Sequence, residues 1–301
     1  MKTLSVEFYK KLILVLLALL ILIPTTCAVV FGVQNSMLRH QLAETEKGPG
    51  PSDSVTGGQG APADMVAEPI EYQKLYPELY STGKIAKERI YEENTVYLTF
   101  NSTPGDNTED ILNVLDDYGV KATFFLSGTS DSISQSQMKA IVNRGHSIGL
   151  NGYSDSYQQI YRSVEGFLED FKAIYDLVYE ATGVQAEIFR YPGGSINAYN
   201  SGFYQELNAE MLRRGFIFFD WDVTGEDTLI GGASASQIQS SVLSGMEGKD
   251  RGIVLLRDTV GKEAVPEALP EIITTLQGRG YQFKPLTTDV IPVVYSYKGA
   301  P

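Results

Sequence analysis

The chain has 301 residues, of which 43% are hydrophobic and 20% charged, which is ample apolar material for a large core and outside the range of a disordered chain. A formal net charge of −13 points away from a nucleic-acid partner without selecting any other, because many exported domains are acidic for solubility alone. One cysteine, Cys27, excludes an internal disulfide.

Lys2, Lys10 and Lys11 precede Leu12–Val33, a run of 22 residues without a charge. At about 1.5 Å per residue this run can cross a hydrocarbon core of roughly 30 Å. A short Lys-bearing flank stays cytoplasmic, so residues 1–11 are expected inside and everything after Val33 outside, as in a single-pass anchor at the cell membrane. The alternative is a cleaved signal peptide, with Leu12–Ile23 as its apolar region and Thr26-Cys27-Ala28 as the cleavage sequence. Apolar residues continuing to Val33 favour the anchor. Residues 34–69 form a juxtamembrane stretch in which Leu38 and Leu42 are spaced for a helical continuation, followed by a Gly, Pro, Ser and Ala spacer over Gly48–Asp64.

From Ile70 the pattern changes to short apolar runs alternating with longer amphipathic ones, the mark of repeated β/α units in a domain over residues 70–295, with a tail over 296–301. The expected strands are Val96–Phe100, Ala122–Ser127, Ser147–Leu150, Glu187–Tyr191, Gly215–Trp221, Gly252–Leu256 and Phe283–Leu286. Helices are expected over Thr108–Tyr118, Ser134–Arg144 and Ser163–Thr182, each followed by a glycine suited to the left-handed position after a helix. Phe167, Phe171, Ile174 and Val178 recur at helical spacing and read as core contacts. Periodicity fits either a distorted barrel or an open doubly wound sheet, and in both the function gathers at the carboxyl ends of the strands.

Asn101, Ser102, Asn151, Arg190, Asp222 and Arg257 all stand at or just after such ends. The phrases that hold them are VYLTFNSTP from Val96, GHSIGLNGYSD from Gly145, FRYPGG from Phe189 and IVLLRDT from Ile253. In order and spacing they resemble the NodB-type polysaccharide deacetylases, carbohydrate esterase family 4, over roughly Tyr72–Leu286. The lead-in YQKLYPELY from Tyr72 is similar to the segment before the domain in some members. The resemblance implies a distorted (β/α)7-type barrel that removes acetyl groups from N-acetylated sugars with a divalent metal such as zinc.

Against that pattern the chemical groups are replaced. Asn101 stands where the family keeps its general base, and an amide accepts no proton near neutral pH. Ser102, Asn151 and Asp155 stand where it keeps its metal ligands, a carboxylate and two histidines. An amide, a hydroxyl and one carboxylate are poor substitutes for the imidazoles and carboxylates of an open zinc site, so no metal is expected. Arg257 stands at the general acid, a role closed to a guanidinium. Arg190 and Asp227 match the arginine that orients the base and the acid that holds it. With an amide at 101, Arg190 is either structural or a binding group for an anionic or carbonyl-bearing ligand. Thr224 and Thr228 depart from the usual Asp and Trp. His146 reads as a structural, partly buried histidine.

Tyr153, Tyr191, Pro192 and Trp221 flank the motifs and are candidates to contact a sugar, with core packing as the competing role of the rings. Arg257 and Asp155 are expected to form an ion pair in the place of the metal, the alternative being an Arg257 turned to solvent or to an anionic ligand. The reading is of a membrane-anchored pseudoenzyme that binds cell-wall glycan or peptidoglycan or serves as an envelope interaction module for an unidentified protein. The alternative is a divergent hydrolase acting on N-acetylated polysaccharide.

Overall fold

A computed structural model describes residues 70–83, 88–128, 131–225, 232–259, 261 and 263–296. The expected anchor, the linker, Asp227, Thr228 and residues 297–301 lie outside the described residues.

The chain alternates strands and helices in the expected order. β1 (Thr95–Ser102), α1 (Asp106–Asp117), β2 (Thr123–Leu126), α2 (Ser132–Asn143) and β3 (Ser147–Leu150) come first. A single helical turn, α3 (Tyr157–Ile160), leads into α4 (Val164–Thr182), β4 (Ile188–Phe189), α5 (Tyr204–Arg213) and β5 (Ile217–Phe218). β6 (Val223–Thr224), α6 (Ala235–Gly245), β7 (Arg251–Asp258), α7 (Ala264–Gly278) and β8 (Gln282–Phe283) complete the fold. All named pairings are parallel, in the order β5-β4-β3-β2-β1-β7-β6, with β8 pairing β1.

The result is a half-barrel consistent with the (β/α)7 architecture. The ring expected from the sequence does not close among the described residues, because no pairing joins β5 to β6. β5 and β6, two residues each, pair only with β4 and β7 respectively.

Strand alternation sorts the side chains into two cores. Val96, Leu98, Phe100, Val254 and Leu256 pack under the helices, while Tyr97, Phe125, Phe219, Ile253 and Leu286 fill the inside of the curved sheet. The stripe Phe167, Phe171, Ile174 and Val178 of α4 is buried against the outer face, as its spacing predicts. α4 ends at Gly183, whose left-handed conformation (φ 73°) lets its N–H reach the Tyr179 carbonyl. Gly119 and Gly145 take the same conformation after α1 and α2.

Candidate functional site

On β1 the inward positions are Tyr97, Thr99 and Asn101, and on β7 they are Ile253 and Arg257. The two strands run in register with Asn101 beside Arg257. Beneath them lies Arg190, which follows β4 and is fully buried. Its Nη1 donates to Thr99 Oγ1 at 2.9 Å and to Asn101 Oδ1 at 3.1 Å, and its Nε donates to the Phe219 carbonyl at 3.0 Å. The guanidinium also lies 4.2 Å from the Phe125 ring centre and 5.5 Å from that of Trp221. Burial pushes Arg190 down to about 9, against the attraction of Asp220 and Tyr295, so it stays charged at neutral pH. Asp220 itself is held by the Ser195 N–H and hydroxyl and by the Tyr295 N–H. Arg190 is thus built into the inner core, and Asn101 is its polar cap.

Ser102 has gone the other way. β1 stays regular to its last residue, so Ser102 points to the helix side, where its hydroxyl donates to Asp258 Oδ2 at 2.6 Å. The Thr108 hydroxyl of α1 donates to the same oxygen at 2.7 Å, and Asn107 Nδ2 reaches Oδ1 at 3.4 Å. Burial pushes the Asp258 carboxyl up, and these three donors pull it back. Asn151 is likewise engaged at both ends of its amide: Ser127 Oγ donates to Oδ1 at 3.3 Å, and Nδ2 donates to the Arg190 carbonyl at 3.0 Å. Asp155 is exposed on the loop after β3.

These residues do not fit a divalent metal. Of the three positions matching the family's ligands, one faces away, one is an amide consumed by internal hydrogen bonds, and one carboxylate remains. Among the described residues no three His, Cys, Asp or Glu side chains converge. His146 is buried behind β2, where Nδ1 accepts from the Ala122 N–H at 3.2 Å and burial pushes the imidazole down to about 4. It is structural, as the sequence suggests.

Arg257 and Asp155 line one cleft of about 580 Å³ at the carboxyl ends of the strands, together with Asn101, Ser127, Asn151 and Pro192. The expected ion pair between them is absent. Among the described residues no carboxylate comes within 4.0 Å of Arg257, and its buried Nε has no hydrogen-bond partner. A carboxylate on an exposed loop keeps its hydration, whereas Arg257 is fixed to the end of a central strand.

The aromatic candidates divide. Tyr191 is 1% exposed and packs among Phe167, Phe189 and Phe218, so it presents no face to a sugar. Trp221 does not line the cleft but stands edge-on to Tyr295, with ring centres 5.3 Å apart. Tyr153 is exposed along a neighbouring groove with Arg162 and Asp170. Pro192 does line the cleft, and its carbonyl accepts from the Tyr161 hydroxyl at 2.7 Å. The rings that do border it are Tyr157 and Tyr199, set edge to face with centres 5.7 Å apart. Neither was a sequence candidate, because Tyr157 opens a single helical turn and Tyr199 lies in a turn, both without motif character; among eighteen tyrosines nothing in the chain marks these two.

A polysaccharide deacetylase family model matches residues 88–212. The catalytic domain of peptidoglycan N-acetylglucosamine deacetylase from Eubacterium rectale is 32% identical, superposes with a TM-score of 0.67, and is matched over 71% of this chain and 98% of its own. The chain belongs to the polysaccharide deacetylase family. Within the family, a polysaccharide deacetylase of Bacillus cereus is 25% identical with a TM-score of 0.60, over 69% of this chain and 98% of that one. A peptidoglycan-N-acetylglucosamine deacetylase of the same species is 28% identical over 219 residues, 71% of this chain and 74% of the relative.

Proposed function

We propose that this chain is an extracytoplasmic glycan-binding member of the family that has lost hydrolysis, held at the cell membrane by Leu12–Val33 as a single-pass anchor, with residues 34–69 as the spacer. One observation carries the loss of hydrolysis. Ser102 spends its hydroxyl on Asp258 and faces the helices, so no ligand remains at the base of the cleft where the family's carboxylate would meet the two histidines. Asn101 cannot take a proton from water, and Arg257 cannot give one to a leaving amine. What remains is a polar cleft of about 580 Å³ edged by two tyrosines, a shape suited to a saccharide. Relatives named as peptidoglycan deacetylases support cell-wall glycan as the ligand.

The test is calorimetric titration of the full chain with N-acetylglucosamine oligomers and soluble peptidoglycan fragments, alongside an acetate assay. Binding that weakens about two- to tenfold in Tyr199→Ala, the scale of one aromatic contact, supports the reading. Acetate release supports the divergent hydrolase, and neither binding nor release leaves a protein-interaction module. Protease protection of residues 1–11 and cleavage beyond residue 34 in intact cells tests the anchor.

A further inference from the structure

An amide at Asn101 and a guanidinium at Arg257, where the family keeps its general base and general acid, change the sign of what the cleft can hold. Asn101 is oriented by Arg190, which only donates, so the amide oxygen faces inward. Its Nδ2 therefore points away from Arg190 and, among the described residues, has no protein partner. The neighbouring register position is Arg257, whose Nε is buried without a partner while the residue lines the cleft. Neighbouring strands lie about 4.8 Å apart, so the two side chains rise from adjacent points beside one cleft. With a carboxylate at 101 an anionic ligand would be repelled. With an amide there, Arg257 is a partly buried cation whose Nε has no partner among the described residues, a donor free to receive an anion.

Resting on the glycan-binding reading above, we propose that the cleft selects a carboxylate-bearing saccharide, its carboxylate received by the Arg257 guanidinium and the Asn101 amide, with the sugar toward the Tyr157 and Tyr199 edge. A planar guanidinium matches a carboxylate through two parallel hydrogen bonds, a geometry that a lysine would not offer. The preference has to be local. A chain of formal net charge −13 repels anions at long range, so selection of the acid form needs a cation inside the site. Asp155 is the counterweight at the exposed side of the same cleft. The carboxylate can belong to a uronic acid ring or to a lactyl ether on an amino sugar; both present the same planar group.

The experiment titrates the full chain with three probes. One is a tetrasaccharide alternating N-acetylglucosamine and glucuronic acid, the second is the methyl ester of that tetrasaccharide, and the third is the N-acetylglucosamine–N-acetylmuramic acid disaccharide, itself compared with its lactyl methyl ester. The expected result is that the free acid of at least one carboxylate source binds tenfold or more tighter than the neutral ester. Which source binds identifies the ligand. Arg257→Gln should erase the acid preference while keeping the weaker ester binding, Arg257→Lys should keep part of it, and Asp155→Asn should increase it. Equal affinity of acid and ester for both carboxylate sources in the unaltered chain overturns the anion selection while leaving glycan binding intact. No binding of any probe overturns both.

Discussion

Arg190 is sealed in the inner core and donates to the Asn101 side-chain oxygen at 3.1 Å, a buried guanidinium facing an amide where the family pairs it with an acid. A carboxylate there would form a buried ion pair with a cation whose nearest acid, Asp220, is already occupied by Ser195 and Tyr295. Asn101→Asp is therefore expected to raise stability by about 1–3 kcal/mol at pH 7. Arg190 would hold the new carboxyl below its usual range. The gain should therefore be present above about pH 4 and lost as pH falls further. Urea unfolding at pH 7 and pH 3 measures it. An Asn101→Asp protein less stable than the parent at pH 7 contradicts this placement of Arg190.

Ser102→Asp is expected to act in the opposite direction. The new carboxylate would stand 2.6 Å-class hydrogen-bonding distance from Asp258, which burial already pushes up. Two buried acids that close cannot both ionise, so the cost should be about 2–4 kcal/mol at pH 7 and smaller at pH 5. The double variant Asn101→Asp with Ser102→Asp should release no acetate from N-acetylglucosamine oligomers, because two imidazoles and the general acid are still missing. Acetate release by that double variant would show that the site has not decayed.

Glu210 and Arg214 form an ion pair with both side chains at 0% exposure, Arg214 Nε donating to Glu210 Oε1 at 2.6 Å. The same guanidinium donates to the carbonyls of Tyr72, Leu75, Tyr76 and Leu79, so it fastens the lead-in segment to α5. Burial raises the Glu210 carboxyl, and hydrogen bonds from Arg213 and Arg214 bring it below the usual range. Glu210→Gln should cost about 3–5 kcal/mol, since it strands a buried charge. Hydrogen exchange should show the amides of Leu75 to Tyr80 opening before those of β1. Uniform exchange across both would rule out a local clamp.

His146 makes a pH prediction. Desolvation is the main cause of its fall to about 4, with Lys121 adding to it and Asp116 opposing. The unfolded imidazole titrates near 6.5, so it takes up a proton that the folded one refuses. Full stability is present above about pH 6.5 and declines as pH falls toward 4, with a slope of up to about 1.4 kcal/mol per pH unit from this group. His146→Gln keeps an acceptor for the Ala122 N–H and should remove that share of the slope. Parallel stability curves for the two proteins between pH 7 and 5 would contradict it.

Much of the architecture was legible in the chain because parallel strands and their helices write themselves as regular apolar periods. β1, β2, β3 and α4 fall within a few residues of the expected spans, and the glycines that end α1, α2 and α4 follow from the helix terminus itself. β6 was missed because two residues carry no period, and the separate fates of β5 and β6 depend on pairing that no local pattern encodes. Asn101, Asn151 and Arg257, singled out by the motifs, line one cleft. The motifs could not tell that Ser102 faces the helices, a matter of how far β1 stays regular, nor that Tyr191 is core while Tyr157 and Tyr199 are rim. Nor could they tell that Asp155 is exposed on the loop after β3 while Arg257 is fixed near the end of a central strand, which leaves the expected ion pair unformed.

The most direct measurement is acetate release by the full chain from N-acetylglucosamine oligomers and from peptidoglycan, with added Zn²⁺ and again with chelator, against an active relative as the positive control. The expected result is no acetate above the protein-free rate under either condition. Metal-dependent release that Asn101→Ala or Arg257→Ala abolishes would contradict the proposal that the cleft binds glycan without hydrolysing it.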